Sequence, residues 1–215
     1  MLTRLDYFSR LTHLSSPSTS SLMRIFRLSY FFLPTHTQFS ALNVLKQCLH
    51  FDPDSKPCLS AHRLVKKLDK SFAELESLQS KEDWRGIANL LAGIGKTKGK
   101  AFAHQFDEAM EANTAKEQLI ISDTTHNIPL PRPDKFSPRR QEILRSLCWA
   151  YVQLGDARNA EKWCLNLLGM DGRENDEAGL VGKAEGLLLK EEWEEAVRVM
   201  EQAFEAGGRS NRDVS

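Results

Sequence analysis

Apolar residues recur along this chain at three- and four-residue spacing, and strand-like alternation is nearly confined to LIIS at 119–122. That period puts one apolar stripe on each helix and predicts an all-α chain. Turn formers cut the helices short. They stand at Pro34, at DPDSKP (52–57), at GIGKTKG (93–99), at NIPLPRPDKFSP (127–138), at Gly155-Asp156 and at Gly172. Short helices joined by tight turns pack as antiparallel hairpins.

The stripes repeat. With Ser29, Cys148 and Ala184 as anchors, an aliphatic residue lies four before each (Ile25, Leu144, Leu180) and a bulky one three after (Phe32, Tyr151, Leu187). Alanine lies twelve after each (Ala41, Ala160, Ala196), followed by Leu45, Cys164 and Met200 at sixteen and by Cys48, Leu167 and Ala203 at nineteen. A degenerate copy has Leu75 as anchor, with Ile87, Leu91 and Ile94 at the same offsets. Small residues at the anchor and twelve on let two antiparallel backbones approach closely, while the larger ones fill the groove between them; all are expected in the core. The arrangement resembles the tetratricopeptide repeat, whose period is close to the 36 residues between Cys148 and Ala184, the surplus falling in GRENDE (172–177). The predicted fold is therefore a superhelical solenoid of helical hairpins. Its expected parts are a partial hairpin or disordered start (1–21), repeats (22–94), an extra helix with a Pro-rich loop (95–136), two further repeats (137–207) and a disordered tail (208–215).

Composition removes several functions. Lys plus Arg and Asp plus Glu each number 29, which leaves no global pull toward nucleic acid or anionic lipid. LMRIFRLSYFFLP (22–34), the most apolar stretch, carries Arg24 and Arg27 and is too short to span a bilayer. GIGKT (93–97) lacks a glycine at Leu90 and a preceding strand, so it is read as a turn and not as a phosphate loop. The six histidines stand apart from cysteines and carboxylates at zinc spacing, so neither metal, cofactor nor enzyme activity is expected. The Ser-, Thr- and Arg-rich first 35 residues also admit a mitochondrial presequence.

Binding is the remaining class. Tetratricopeptide domains that clamp a chaperone's terminal carboxylate use lysine and asparagine on the inner face, whereas Tyr30, Trp149 and Glu185 follow the anchors here and Arg145 is the one suitable charge. An apolar or aromatic groove is expected, with Tyr30, Arg145 and Trp149 as candidate client-binding residues. The N-terminal LDYFSRL (5–11) and LMRIF (22–26) have no polar cap and are expected to be exposed, with instability or self-association as the consequence.

Four cysteines remain. Spacing alone allows two local disulfides or four buried thiols. The segments CLHFDPDSKPCLSAHRLVKKLDKSFAELES (48–77) and CWAYVQLGDARNAEKWCLNLL (148–168) resemble the lumenal co-chaperones of the endoplasmic reticulum that join tetratricopeptide repeats to a DnaJ domain, most closely their fungal branch. The resemblance runs from about Leu22 to Gly207 and includes the VKKL element, Val65 to Leu68. It implies disulfides Cys48–Cys58 and Cys148–Cys164, residence in the endoplasmic-reticulum lumen and binding of unfolded client polypeptides for hand-over to the chaperone BiP. In that family a secretory signal and a His-Pro-Asp-bearing J domain, through which BiP is reached, flank the repeats. This sequence shows neither, which implies an internal piece or a truncated gene product. A generic tetratricopeptide scaffold in cytosol or mitochondrion is the alternative.

Overall fold

A computed structural model describes residues 18–34, 40–93, 101–114 and 133–210. The expectations for LDYFSRL, LIIS, most of GIGKT, Ile94, His13, His36, His126 and residues 211–215 fall outside them. The described residues are helical, without a strand, and divide into two units.

Unit 1 holds α1 (Thr19–Phe32), α2 (Ala41–Phe51), α3 (Lys56–Ser80) as far as Ala73, α5 (Phe102–Thr114) from Phe106 onward, and the single turn α6 (Pro133–Phe136). The Ser18 hydroxyl accepts from the backbone N–H of Ser21 and opens α1; the helix closes just before Pro34, which disfavours helical backbone in the residue preceding it. LMRIF is not exposed as expected: Leu22, Met23, Ile25 and Phe26 are all buried. Their burial follows from α1 packing against both α2 and α6, which covers the face that the repeat pattern alone left open. Around them Phe26, Tyr30, Phe31, Phe72 and Phe106 form a chain of ring contacts, the closest an edge-on pair of Tyr30 and Phe31 with centroids 5.1 Å apart. In VKKL, Val65 and Leu68 are buried and the two lysines between them are exposed. The Pro-rich stretch is partly helical, since Pro133 to Phe136 form α6 and Pro138 opens α7 at the position where a missing N–H costs nothing.

Unit 2 holds the last turns of α3 from Glu74, α4 (Trp84–Ala92), the start of α5, α7 (Pro138–Gln153) from Arg140, α8 (Ala157–Leu168), α9 (Glu177–Leu188) and α10 (Trp193–Ser210). Three hairpins turn with one backbone pattern. Glu82, Gly155 and Glu191 each stand seven after an anchor, and all three have positive φ, 55°, 70° and 65°. The residues after them donate N–H to carbonyls five earlier (Asp83 to Leu78, Asp156 to Tyr151, Glu192 to Leu187) while Glu82, Gly155 and Glu191 donate to carbonyls three earlier. Each is a helix C-terminus closed by a left-handed residue, so the repeat seen in side chains is also a repeat of hydrogen bonds. Asp83 and Asp156 then cap α4 and α8, and Asp176, within GRENDE, caps α9.

Packing follows the anchors. Cys148, Ala184, Ala160, Ala196, Leu167 and Ala203 are buried, as are Leu75, Ile87 and Leu91 of the degenerate copy. Met200 departs from the expected core and is 37% exposed. The reason is visible one hairpin earlier, where the equivalent Cys164 is covered by Gly182 of the following helix α9; no described helix follows α10. Met200 therefore shares an exposed stripe with Trp193, Val197 and Phe204, while Ala196, Val199 and Ala203 on the other face pack against α9.

Candidate functional site

The first helices of consecutive hairpins, α7 and α9, wall a groove in unit 2. Glu142, Arg145, Ser146 and Trp149 fall at helical spacing on one face of α7; Glu177, Ala178 and Val181 line the opposite wall on α9. Gln79 at the end of α3 and Trp84 and Ile87 of α4 complete a cavity of about 670 Å³. That volume lies in the range of small-ligand sites and admits a few side chains of an extended chain. Its floor is apolar and aromatic, and the polar side chains of Gln79 and Ser146 are tied within the protein. Gln79 Nε2 donates to Ser146 Oγ at 2.8 Å, and Ser146 in turn donates to the Glu142 carbonyl at 2.8 Å.

Arg145 is likewise engaged. Its guanidinium donates to Asp176 Oδ2 at 2.6 Å, a carboxylate only 5% exposed that also takes Gln141 Nε2 at 3.4 Å and faces Arg173 at 3.8 Å. Through its other oxygen Asp176 caps α9 by accepting from Gly179 N. Arg145 thus fastens α7 to the start of α9, and a carboxylate clamp through it would first have to break this contact.

Of the three residues predicted to meet a client, the structure brings Trp149 and Arg145 into the groove and leaves Tyr30 out. Tyr30 is 1% exposed in the core of unit 1. Its hydroxyl donates to Asp69 Oδ1 at 2.8 Å, and the Arg139 guanidinium lies 4.2 Å from its ring centroid and 3.6 Å from the same carboxylate oxygen. Burial is the main cause that pushes the phenol far above its usual value; Asp69 adds to this and Arg139 opposes it, so Tyr30 stays a donor. An aromatic one after a small anchor has two possible fates, and in unit 1 it packs inward against Phe26 and Phe31.

Sequence reasoning missed Val181, Glu142, Glu177 and the groove role of Trp84. The register held a signal for the first: Val181 stands three before its anchor, as Arg145 does in the preceding hairpin. Trp84, nine after Leu75, is the first residue of α4 and lines the cavity.

All four cysteines are paired in the structure, Cys48 with Cys58 across the α2–α3 turn (Cα–Cα 6.2 Å) and Cys148 with Cys164 between α7 and α8 (4.7 Å). Both separations fall in the range that a disulfide bridges. Gly182 of α9 lies over the second pair. A Cβ there would collide with Cys148 Sγ and stand 2.9 Å from Cys164 Sγ. Among the described residues no group of His, Cys, Asp and Glu could hold a metal ion, and no helix is long and apolar enough to cross a membrane.

No protein-family model matches the chain. Individual relatives do. Over 214 residues, 96% of the chain, it is 32% identical to the tetratricopeptide repeat and J domain-containing co-chaperone DNJ1 of Mycosarcoma maydis, and it is 30% identical over 203 residues to DNJ1 of Cryptococcus neoformans var. grubii. The chain is a homologue of these TPR and J domain-containing co-chaperones. It spans 36% of the length of each. A plant protein, DnaJ protein P58IPK homolog B of Oryza sativa subsp. japonica, is 29% identical over 137 residues, 64% of this chain and 25% of its own. The crystal structure of the P58(IPK) TPR domain superposes with a TM-score of 0.60 at 19% identity, covering 94% of this chain and 45% of that one. At that identity the match speaks to fold alone, and the fold is an all-α TPR solenoid. The DNJ1 homologues align the chain with one segment of TPR and J domain-containing co-chaperones.

Proposed function

We propose that this chain is a client-holding segment, which binds apolar stretches of unfolded polypeptides in the groove between α7 and α9 and works in the endoplasmic-reticulum lumen for hand-over to BiP. The observation that carries this reading is the groove itself: Trp84, Trp149 and Val181 form an accessible apolar lining in a homologue of co-chaperones, while Gln79 and Ser146 beside it are hydrogen-bonded to each other. Burial of a client's apolar side chains against this lining supplies the binding energy, without covalent chemistry or a cofactor. The lumenal assignment rests on the two cysteine pairs, because such bonds persist in oxidising compartments and are rare in the cytosol.

Two measurements test it. Excess protein should suppress the aggregation of a reduced, unfolding client, and Trp149→Ala should weaken that suppression several-fold, since buried aromatics carry much of an interface's energy. Unchanged aggregation with excess protein contradicts client holding. Separately, mass analysis after alkylation, with and without prior reduction, should show four thiols only after reduction. Free thiols in protein from its native compartment would favour a cytosolic or mitochondrial scaffold instead.

A further inference from the structure

The outer face of α10 carries a further apolar surface of unit 2. Trp193, Val197, Met200 and Phe204 are exposed, Phe204 at 84%, and their 4-3-4 spacing is that of a coiled-coil seam about 17 Å long. One hairpin earlier the same register positions are Ala157, Glu161, Cys164 and Leu168 on α8, and α9 lies across them. Gly186 stands beside Ala157 and Glu161, Gly182 beside Cys164 and Gly179 beside Leu168, so the covering helix runs antiparallel. Position for position, the exposed stripe on α10 is the surface that this fold covers with a helix. Its edge narrows which helix. Glu194 and Glu201 are exposed one residue after Trp193 and Met200, at the positions that flank the seam, and Arg198 between them is engaged with Glu195 at 2.8 Å. The equivalent residues on α8 are Arg158 and Leu165, so the acidic edge is a feature of α10 and not of the repeat.

We propose that this face docks one amphipathic helix of a partner, laid antiparallel across α10, with apolar residues at the same 4-3-4 spacing and lysine or arginine along the edge that meets Glu194 and Glu201. The proposal stands on residues that the groove between α7 and α9 does not use. Burial of Trp193, Val197, Met200 and Phe204 supplies the affinity. The charge pairs lie at an exposed edge, so each contributes modestly, is screened by salt and serves chiefly to select the partner. A second copy of α10 is the poorer occupant. Two-fold antiparallel pairing sets the flanking positions of one helix against the same positions of the other, and glutamate would meet glutamate.

The test uses the intact 215-residue chain and labelled synthetic helices with leucine at the 4-3-4 positions and lysine or glutamate at two positions on one edge, with binding read by fluorescence anisotropy. The lysine-edged helix should bind about 10-fold tighter than the glutamate-edged one at low salt, and the difference should shrink at about 0.3 M salt. Glu194→Lys combined with Glu201→Lys should reverse the preference. Phe204→Ser, at a side chain exposed enough to leave the fold intact, should weaken binding of the lysine-edged helix by about 10-fold or more. The same peptide with a central proline, which breaks its helix, should lose binding to a similar degree. Equal affinities for the two edges, or a preference that survives the double substitution, overturn the assignment of selection to Glu194 and Glu201. Binding indifferent to Phe204→Ser or to the central proline overturns helix docking on α10, as does failure of both helices to bind. Sedimentation of the chain as a dimer that Phe204→Ser returns to monomer would overturn the proposal in favour of a second copy.

Discussion

Tyr30 shows how far a single residue's register can mislead. One after a small anchor is a place where a repeat can present an aromatic outward, and Trp149 does so from the same position in α7. In α1 the partners decide otherwise: Asp69 and Arg139, distant in sequence, meet the Tyr30 hydroxyl and ring, and no local pattern announces them. Tyr30→Phe should lower stability toward urea by about 1–2 kcal/mol, because it removes a buried donor from a charged acceptor. An unchanged midpoint would mean that water replaces the hydroxyl. The glycines of α9 give a second contrast at this scale. Gly182 has the Cys148 and Cys164 sulfurs where a Cβ would go, whereas at Gly186 the nearest atom, Glu161 N, is 3.7 Å away. Gly182→Ala should therefore cost about 1–3 kcal/mol by overpacking, while Gly186→Ala should be neutral or stabilise by up to about 1 kcal/mol through helix propensity. Paired thermal melts decide it, and equal effects at the two sites would contradict the packing described.

At the scale of the element, most of the three turns of unit 2 was legible, because the repeat register sets their place. What the register could not give was backbone conformation: Gly155 marks one left-handed position openly, but Glu82 and Glu191 hold the same position without the residue type that favours it. Glu82→Gly and Glu191→Gly should each raise stability by about 1 kcal/mol through relief of left-handed strain, and Gly155→Ala should lower it by a similar amount. Urea midpoints moving the other way would show that the hydrogen-bonded turn is not what limits these hairpins. The cysteine pairs belong to this scale as well. Each closes a short loop within one local helix pair, and reduction should lower stability by about 3 kcal/mol per bond in the chain-entropy model. Helix ends were the least legible feature, since α6 forms in a stretch whose prolines read as loop and whose partner α1 lies far away in sequence.

For the molecule as a whole, the all-α hairpin architecture could be read from spacing because small residues at two fixed offsets leave a strong mark. The groove could be read only in part. Trp149 and Arg145 were visible as outward candidates on one helix, but the second wall comes from α9 and the floor from α4, and their convergence is set by the crossing of helices that no linear pattern specifies. The resemblance carried by the cysteine segments pointed to the co-chaperones that the DNJ1 homologues represent. The central claim is that unfolded clients are held between α7 and α9. The most direct measurement is site-specific photo-crosslinking, with a photoreactive phenylalanine analogue placed at Val181 in the groove or at Glu194 on α10, in the presence of a labelled unfolded client. Crosslinking at Val181 that competes with unlabelled client, together with none at Glu194, is the predicted result; equal capture at both positions, or capture at Glu194 alone, would contradict it.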